Sequence, residues 1–334
     1  VDALATIVKV EGMHRIADTF GPIPYVNYGS SSLYDALDLV YNKFFEELDN
    51  AIEVLSNYVN GNVDAKLMRD YDCVYGGDVE KWVKFANTLR LRLAIRVSYA
   101  NPTLAEAQAK KSMENMFGFI ESKAERAELS HNSLEYHHPL HEIAYNFNSG
   151  DCRPGATIVA YLNGLNDSRI SSYFTAADDG EYHGVRIGIT TSNMSNYQGN
   201  KISNLNINRA STPVVWMTAA ESFFLRAEGA LRGWAMGGDA KSLYEEAIAL
   251  SFEQYGLPAT DALSYAANAS NTPQAYTDPV DGTYSAGAVS SITVAWQEGD
   301  EYTEKNLERI ITQKWIAMFP STVEAWSEYT NTSF

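Results

Sequence analysis

One stretch of the sequence constrains the fold more than any other, namely GDVEKWVKFANTLRLRLAIRVS at residues 77–98. Large apolar side chains recur in it at intervals of three and four residues: Trp82, Phe85, Leu89 and Leu93. This spacing places side chains on one face of an α-helix. Because further leucine, isoleucine and valine residues widen that face, we predict a helix that is packed on several sides, and hence a helical core.

The same periodicity recurs in four other stretches, at residues 33–58, 211–234, 239–256 and 307–319. In the second of them, Thr212 can cap the helix and Pro213 suits its first position. Pro320 would end the last one, because proline cannot donate the next helical hydrogen bond. The sequence therefore predicts a mainly α-helical protein.

Two of these helices contain the spacing of a tetratricopeptide repeat, in which paired helices pack through small residues and one ring. Ala240, Tyr244 and Ala247 match the A-x3-F-x2-A pattern of the second helix of such a pair. Leu48 and Ala51 stand at equivalent positions of the earlier helix. This repetition predicts at least two tetratricopeptide-like helix pairs.

Two long stretches lack this periodicity and are rich in polar and small residues: residues 129–211 and 258–301. The first contains one predicted helix, near residues 156–165, and one alternating stretch, GVRIGIT at 184–190, that predicts a short strand. Long loops in compact proteins are commonly functional. We predict a single domain over residues 1–334, whose loop-rich ligand region is carried on a helical frame of residues 1–128, 212–257 and 302–329.

The charge of the chain excludes nucleic acid as a partner. Its 42 acidic and 25 basic residues give a formal charge of −17 and a pI near 4.7, and this charge repels a phosphate backbone. No run reaches the roughly 20 apolar residues that a membrane-spanning helix needs. Cys73 and Cys152 are too few for a disulfide framework or a four-thiolate zinc site.

The sequence has no G-x-S-x-G motif, no P-loop and no dinucleotide-binding glycine motif. We therefore predict no enzyme activity, no catalytic residue and no cofactor. Two alternatives stay open. One is a surface glycoside hydrolase that uses a pair of loop carboxylates, and the other is a helical-repeat scaffold with protein partners.

The segment SLEYHHPLHEIAYNFN, residues 133–148, raises the question of a metal site. His137, His138 and His141 could bind zinc through ring nitrogens. Pro139, however, interrupts the segment, the H-E-x-x-H motif is absent and neither cysteine has ligand spacing. We therefore predict no metal at these histidines.

The same segment is rich in rings and amides. Tyrosine and tryptophan present an apolar face and a polar tip, which suits the flat faces of sugars, and amides can bond the sugar hydroxyls. We predict a ring-and-amide platform with Tyr136 and Tyr145 for stacking and Asn146 and Asn148 as hydroxyl partners. Trp296, in the second long loop, is the distant ring predicted to complete this platform. Burial decides the assignment, because each ring could equally belong to the core.

Four blocks of the sequence resemble one family. They are MHRIADTFGPIPYVNYG at residues 13–29, YGGDVEKWVKFANTLRLRLAIRVS at 75–98, AESFFLRAEGALRGW at 220–234 and ITQKWIAMFPSTVEAWSEY at 311–329. In content and order they are similar to the SusD/RagB family, and the second block matches the Y-G-G-D-x-x-K-W-x-K-F-A-N motif of its SusD-like subgroup.

The resemblance implies a SusD-like fold, with tetratricopeptide-like helix pairs, long irregular loops and a few short strands. It also implies a lipoprotein of Bacteroidetes-type bacteria that binds glycans or other nutrients at the extracellular face of the outer membrane. Such proteins cap a SusC-like, TonB-dependent transporter and are not enzymes. On this resemblance, the lipid anchor would lie upstream of Val1. The chain departs from the family where Thr330 and Asn331 replace the usual basic pair.

Overall fold

The computed structural model of the chain describes residues 1–29, 33–62, 64, 66–129, 138–147, 152–209 and 211–332. Helices account for 56% of it and the strands are few and short, which confirms the predicted mainly α-helical fold. By its internal contacts the chain divides into two compact units. Unit 1 consists of residues 1–128, 215–247 and 321–334, and unit 2 consists of residues 129–214 and 248–320. The single-domain organisation stays a prediction.

The helices are, in chain order, α1 (Asp2–Phe20), α2 (Leu37–Gly61), α3 (Val79–Arg96), α4 (Pro102–Glu114), α5 (Pro139–His141), α6 (Ala156–Gly164), α7 (Ile170–Tyr173), α8 (Ala219–Leu231), α9 (Ala240–Gln254), α10 (Ala259–Ala266), α11 (Thr303–Ala317) and α12 (Thr322–Thr332). The strands are β1 (Ala127–Leu129), β2 (Phe174–Thr175), β3 (Asn204–Leu205) and β4 (Val214–Met217). They form two two-stranded sheets, in which β1 pairs with β4 and β2 pairs antiparallel with β3.

Helix α3 forms where the apolar spacing predicts it, at the centre of unit 1. It packs against α2, α4 and α8, so that both Trp82 and Phe85 are buried. The Asp78 side chain caps its N-terminus by accepting a hydrogen bond from the Lys81 amide at 3.2 Å. The Trp82 indole donates to Asp72 Oδ2 at 2.8 Å. The two rings are packing residues, as the sequence indicates.

Successive packing of α1 on α2, α2 on α3 and α3 on α4 produces the predicted array of helix pairs. Leu48 and Ala51, at the repeat positions of α2, are buried. In the later repeat, Tyr244 of α9 is also buried, and its ring meets Phe224 of α8 edge-on with centroids 6.1 Å apart. The small and aromatic repeat positions therefore face the core, which is the packing expected of tetratricopeptide-like pairs.

Two local predictions are wrong. The helix expected to begin at Pro213 begins at Ala219, because Val214–Met217 forms β4, as suits its β-branched and aromatic side chains. Thr218 is the true cap, and its hydroxyl accepts from the Glu221 amide at 3.1 Å. The strand expected at 184–190 reduces to a single bridge at Val185. The predicted helix near 156–165 is confirmed as α6.

The core of unit 1 contains charged side chains as well as apolar ones. Arg92 is 1% exposed and donates to Glu221 at 2.6 and 2.9 Å, to Glu11 at 3.1 Å and to the Trp216 carbonyl at 2.9 Å. A second buried arginine forms ion pairs with three more carboxylates: Arg96 pairs with Asp18, Glu324 and Glu328. These pairs join α1, α3, α8 and α12 to one another.

Unit 2 also buries arginine, and Arg169 is fully buried in it. Arg169 pairs with Asp167 at 2.6 Å and donates to Ser251 Oγ at 2.8 Å and to Gln313 Oε1 at 2.9 Å. Its guanidinium carbon lies 4.8 Å from the centre of the Phe252 ring. Arg169 therefore holds the turn between α6 and α7 against α9 and α11.

Candidate functional site

The predicted platform is described over residues 138–147, where α5 continues into a π-helical turn, Glu142–Asn146. The Tyr145 ring stacks on His141, with centroids 4.7 Å apart and planes at 29°. Its hydroxyl donates to the Leu205 carbonyl. Tyr145 is 38% exposed, so the ring is fixed at both ends and still reaches the surface.

The Asn146 amide is held by a neighbouring carboxylate. Its nitrogen donates to Glu142 Oε2 at 2.6 Å, and Arg209 donates to the other carboxylate oxygen of Glu142 at 3.1 Å. The hydrogen bond from Asn146 and the charge of Arg209 lower the pKa of Glu142. The segment is therefore anchored to residues 204–209, as the hydrogen bond from Asn204 to the Ala144 carbonyl at 3.2 Å also shows.

Sequence reasoning did not single out Phe147, which is the most exposed ring among residues 138–147. Phe147 is 62% exposed and follows directly on Asn146. The sequence predictions favoured rings with a polar tip, and a phenylalanine has none. Tyr136, His137 and Asn148 lie outside the described residues, and their roles stay predictions.

Trp296, the predicted distant ring, is half-buried in the stretch between α10 and α11. Its polar neighbour Gln297 is hydrogen-bonded to α11. Arg309 donates to Gln297 Oε1 at 3.0 Å, and Asn306 donates to the Gln297 carbonyl at 2.8 Å. Gln297 is therefore a structural residue. The part of Trp296 in a ligand platform stays a prediction.

His138 and His141 both have partners within their own segment. His138 is buried, and its Nδ1 accepts from the Leu140 amide at 3.2 Å, which caps α5. His141 is stacked on Tyr145. These contacts account for two of the three histidines as structural residues, and the absence of a metal there stays a prediction.

A second surface of unit 2 has the composition that the platform was predicted to have. It is a cleft of about 160 Å³ lined by two tyrosines, two amides, one carboxylate and one histidine: Tyr182, Tyr276, Asn163, Gln274, Glu181 and His183. Val159, Ala160, Gly184 and Thr277 complete the lining. Both tyrosines are half-buried, whereas Glu181 and Gln274 are exposed at the rim.

Two glycines allow the walls of this cleft to approach one another. A Cβ on Gly164 would lie 2.2 Å from the Gln274 nitrogen, and one on Gly184 would lie 2.7 Å from the Gly155 carbonyl oxygen. The Gln274 amide donates to the Ala160 carbonyl at 3.2 Å. The loop that carries Gln274 is thus pressed directly onto α6, and no larger residue than glycine fits at these two positions without a shift of the backbone.

Tyr276 is oriented by a buried carboxylate. Its hydroxyl lies 2.9 Å from both Asp278 Oδ2 and the Gly184 carbonyl oxygen, and Tyr197 donates to Asp278 Oδ1 at 2.9 Å. Burial alone would raise the pKa of Asp278, but the amides of Asp281 and Val280 and the two phenols outweigh it and lower that pKa. Asp278 is therefore an ionised anchor for the ring.

The cleft and the predicted platform share one extended stretch of backbone. The Ser203 amide donates to the His183 carbonyl at 3.1 Å, and the His183 amide donates to Ser203 Oγ at 3.0 Å. Two residues further on, the Leu205 carbonyl accepts the Tyr145 hydroxyl. An extended chain advances about 3.3 Å per residue, so the two attachment points lie on the order of 7 Å apart. Both ring-bearing surfaces thus depend on residues 203–205.

Unit 1 contains one group with the geometry of a cation site. His14, Asp18 and Glu324 present ligand atoms within 4.8 Å of one another. Arg96, however, forms ion pairs with both of these carboxylates. Because the guanidinium already occupies the position of a cation, we assign the group to the charged core of unit 1.

The cleft suits binding better than it suits hydrolysis. Glycosidases need two carboxylates that flank the scissile bond, and among the described residues that line the cleft only Glu181 carries one. The carboxylate behind the wall, Asp278, accepts hydrogen bonds from two phenols and two amides. Asp278 is thereby held as an anchor of the wall, and it is not one of the residues that line the cleft. Rings and amides, in contrast, match the faces and hydroxyls of sugars.

Comparison with known proteins decides the family. The family model described as SusD-like, Susd and RagB outer membrane lipoprotein, matches residues 1–334. The chain belongs to the SusD-like family. A search of curated proteins found no match.

Solved SusD-like structures superpose closely on the chain. A chitin-binding SusD homologue from Flavobacterium johnsoniae is 40% identical with a TM-score of 0.91, over 98% of this chain and 67% of the relative. A SusD homologue from Bacteroides uniformis is 42% identical with a TM-score of 0.90, over 99% and 68%. One from Bacteroides thetaiotaomicron is 38% identical with a TM-score of 0.88, over 99% and 67%. The chain thus spans about two thirds of each relative.

The SusD-like family is one of outer membrane lipoproteins. Within the part of the chain that the structure describes, no helix is both long enough and apolar enough to cross a bilayer. The side chains of Thr330 and Asn331, where the sequence departs from the family, are not among those described.

Proposed function

We propose that this chain is the surface substrate-binding subunit of a SusC/SusD-type, TonB-dependent nutrient uptake system, and that its ligand is a glycan. The observation that carries the proposal is the cleft in unit 2, which combines Tyr182 and Tyr276 with the amides of Asn163 and Gln274. A sugar ring offers an apolar face to a tyrosine and hydroxyls to amides. The chitin-binding relative, 40% identical to this chain, supports the same ligand class.

The predicted platform is the second part of the proposed site. The Tyr145 hydroxyl is bonded to Leu205, two residues beyond the Ser203 amide that is bonded to His183 of the cleft. We include Tyr136, Asn148 and Trp296 in the site on the sequence argument alone, as further rings and amides of the long loops. Phe147 joins them because of its exposure.

The proposed partner is a SusC-like transporter in the outer membrane, and the proposed location is the extracellular face, with a lipid anchor upstream of Val1. Family membership supports both statements. A surface glycoside hydrolase and a scaffold with protein partners only are the alternatives; turnover of glycans would favour the first. The scaffold is favoured if no glycan raises the melting temperature, since a ligand selective for the folded state must stabilise it.

The test is a glycan array followed by calorimetric titration with the tightest-binding glycan. We expect Tyr182→Ala to weaken binding about tenfold, because stacking on one ring contributes on the order of 1 kcal/mol beyond the buried area. Tyr71→Ala is the matched control, since Tyr71 is a tyrosine of unit 1 that is 80% exposed. An array without any binding glycan, or equal affinities for the two variants, would contradict the proposal.

The same titration tests the platform. We expect Tyr145→Ala and Trp296→Ala each to weaken glycan binding while the melting temperature stays nearly unchanged. Unchanged affinity together with a large fall in melting temperature would assign these rings to the core and remove them from the site.

A further inference from the structure

We propose that the cleft between Tyr182 and Tyr276 selects neutral or amine-bearing glycans and rejects glycans that carry carboxylate or sulfate groups. This inference rests on the proposed function and narrows its ligand class. It is carried by the charges of the side chains that line the cleft and stand directly behind its wall.

No lysine or arginine is found among the described residues that line the cleft, and the acidic side chain among them is Glu181. Recognition of a carboxylate or sulfate in a protein site is typically made by arginine or lysine, whose donors match the oxygens. The lining histidine, His183, is held by another acid, since its Nε2 lies 2.7 Å from Asp179 Oδ2. The charges around the opening are therefore mainly negative.

The nearest basic residue along the chain does not supply the missing donor. Arg186 follows His183 by three positions, but its guanidinium donates to the Tyr284 carbonyl at 3.3 Å. Arg186 is not one of the residues that line the cleft. An anionic sugar placed between Tyr182 and Tyr276 would meet Glu181, and no lysine or arginine among the described lining residues would offset that contact.

The anchor of Tyr276 strengthens the same preference. Its hydroxyl is hydrogen-bonded to Asp278, a carboxylate that is 6% exposed and bonded by four donors. A phenol that donates to a carboxylate carries more electron density on its ring. The face of such a ring attracts an ammonium group and the weakly positive C–H bonds of a sugar, and repels an anion.

A simpler explanation is that Glu181 is one of many solvated acids on a protein of formal charge −17. Such a general charge would disfavour every anionic ligand equally, and salt would screen it. Replacing single acids separates the two explanations. Glu181→Gln removes the rim carboxylate, whereas Glu304→Gln removes an exposed acid of α11 that does not line the cleft, and both change the net charge by one.

The experiment uses four hexasaccharides with the same β-1,4 linkage, titrated into the wild-type chain and the two variants. Cellohexaose and N-acetylated chitohexaose are neutral, deacetylated chitohexaose at pH 6 carries amines, and cellouronate hexamer carries carboxylates. We expect the neutral and amine-bearing probes to bind at least about tenfold more tightly than the uronate. Glu181→Gln should improve the relative affinity for the uronate about two- to fivefold, and Glu304→Gln should leave it unchanged.

Three outcomes are decisive. Tighter binding of the uronate than of cellohexaose would overturn the charge selection while leaving glycan binding intact. Equal effects of Glu181→Gln and Glu304→Gln would overturn the role of the cleft in that selection. If the β-1,4 series does not bind, the acidic and neutral glycans of the array give the same comparison, and an array without binding glycans would contradict the proposed function itself.

Discussion

Unit 1 and unit 2 both bury arginine inside a polar network, but the two networks differ in the charge of the arginine's partners. In unit 1, Arg92 forms ion pairs with Glu11 and Glu221, which are 81 and 129 residues away. In unit 2, Arg169 forms an ion pair with Asp167, two residues away, and reaches the distant residues Ser251 and Gln313 through neutral hydrogen-bond partners. The first network therefore joins helices through buried ion pairs, whereas the second joins them through neutral hydrogen bonds.

This difference explains where the binding surfaces lie. In unit 1, long helices are joined by buried ion pairs and few irregular segments lie between them. The aromatic rings of α3 are buried in the core and cannot contact a ligand at the surface. In unit 2 the loops are held by hydrogen bonds, such as the one from the Gln274 amide to the Ala160 carbonyl and those from the four donors on Asp278. Loops on a rigid support are where binding residues tend to collect.

The largest effect on the free energy of unfolding is expected when one of the two buried arginines, Arg92 or Arg169, is replaced. Arg92→Met should reduce the free energy of unfolding by about 3–5 kcal/mol, because it leaves the buried carboxylate Glu221 without its arginine and removes one of the two arginines that pair with Glu11. Arg169→Met leaves one buried carboxylate, Asp167, without its ion-pair partner. It should reduce the free energy of unfolding by at least about 1 kcal/mol less than Arg92→Met does. Denaturant unfolding of both variants measures the difference.

Lys9→Met serves as the control for loss of one positive charge. The Lys9–Glu47 pair is solvated, with 46% of the Lys9 side chain exposed, so its loss should cost less than about 1 kcal/mol. If Arg169→Met destabilised the protein more than Arg92→Met, the larger network would not be the more important one, and the contrast between the two units would be wrong.

A smaller effect is expected from one added methyl group in each unit. Gly164→Ala places a Cβ 2.2 Å from the Gln274 nitrogen, so the loop must move away from α6. We expect a loss of about 1–3 kcal/mol in the free energy of unfolding and weaker glycan binding in the cleft. Gly12→Ala adds its methyl group in open space within α1 and should stabilise the protein by about 0.5–1 kcal/mol.

Thermal unfolding and glycan titration of these two variants check this contrast. A neutral Gly164→Ala would show that the loop at residues 272–274 yields easily, and that the cleft is not a fixed surface. A destabilising Gly12→Ala would show that α1 does not accept a methyl group at this position, although the surrounding space is open.

Much of unit 1 could be predicted from the sequence because its helices depend on local periodicity. The spacing of Trp82 and Phe85, and the repeat positions of Leu48 and Tyr244, place these residues in the core without knowledge of tertiary contacts. The start of α8 could not be placed in this way. Pro213 looks like a first helical residue, but the next residues join β1 in a sheet, which is a long-range preference.

For the candidate site, the sequence indicates the kinds of side chain, rings and amides, but it does not indicate which residues come together. Composition pointed to rings and amides in the long loops, and the segment of Tyr145 does reach the surface. The cleft was missed because Asn163, Tyr182 and Tyr276 lie far apart in the sequence and show no common spacing. They meet only because Gly164 and Gly184 permit close approach, and a sequence does not show which glycines are pressed against backbone.

The smallest effect concerns the pH dependence of the larger network. His14 is fully buried and lies 3.2 Å from Asp18 and 3.3 Å from Glu11. Burial opposes a charge on the ring, but the hydrogen bonds to Asp18 and Glu11 and the charge of Glu11 raise the pKa of His14 above its usual value. A raised folded-state pKa stabilises the protein fully below the unfolded value of about 6.5, and this contribution is lost as the pH rises through the folded-state pKa.

We therefore expect the free energy of unfolding to fall above about pH 6.5, by at most about 1.4 kcal/mol per pH unit, because one proton is involved. His14→Gln keeps a hydrogen-bonding side chain that does not titrate, and should flatten this part of the profile. Denaturant unfolding at half-unit steps between pH 6 and pH 9 measures both slopes. Equal slopes in the wild type and the variant would show that His14 carries no extra proton in the folded protein, and that the carboxylates of unit 1 are neutralised by its arginines alone.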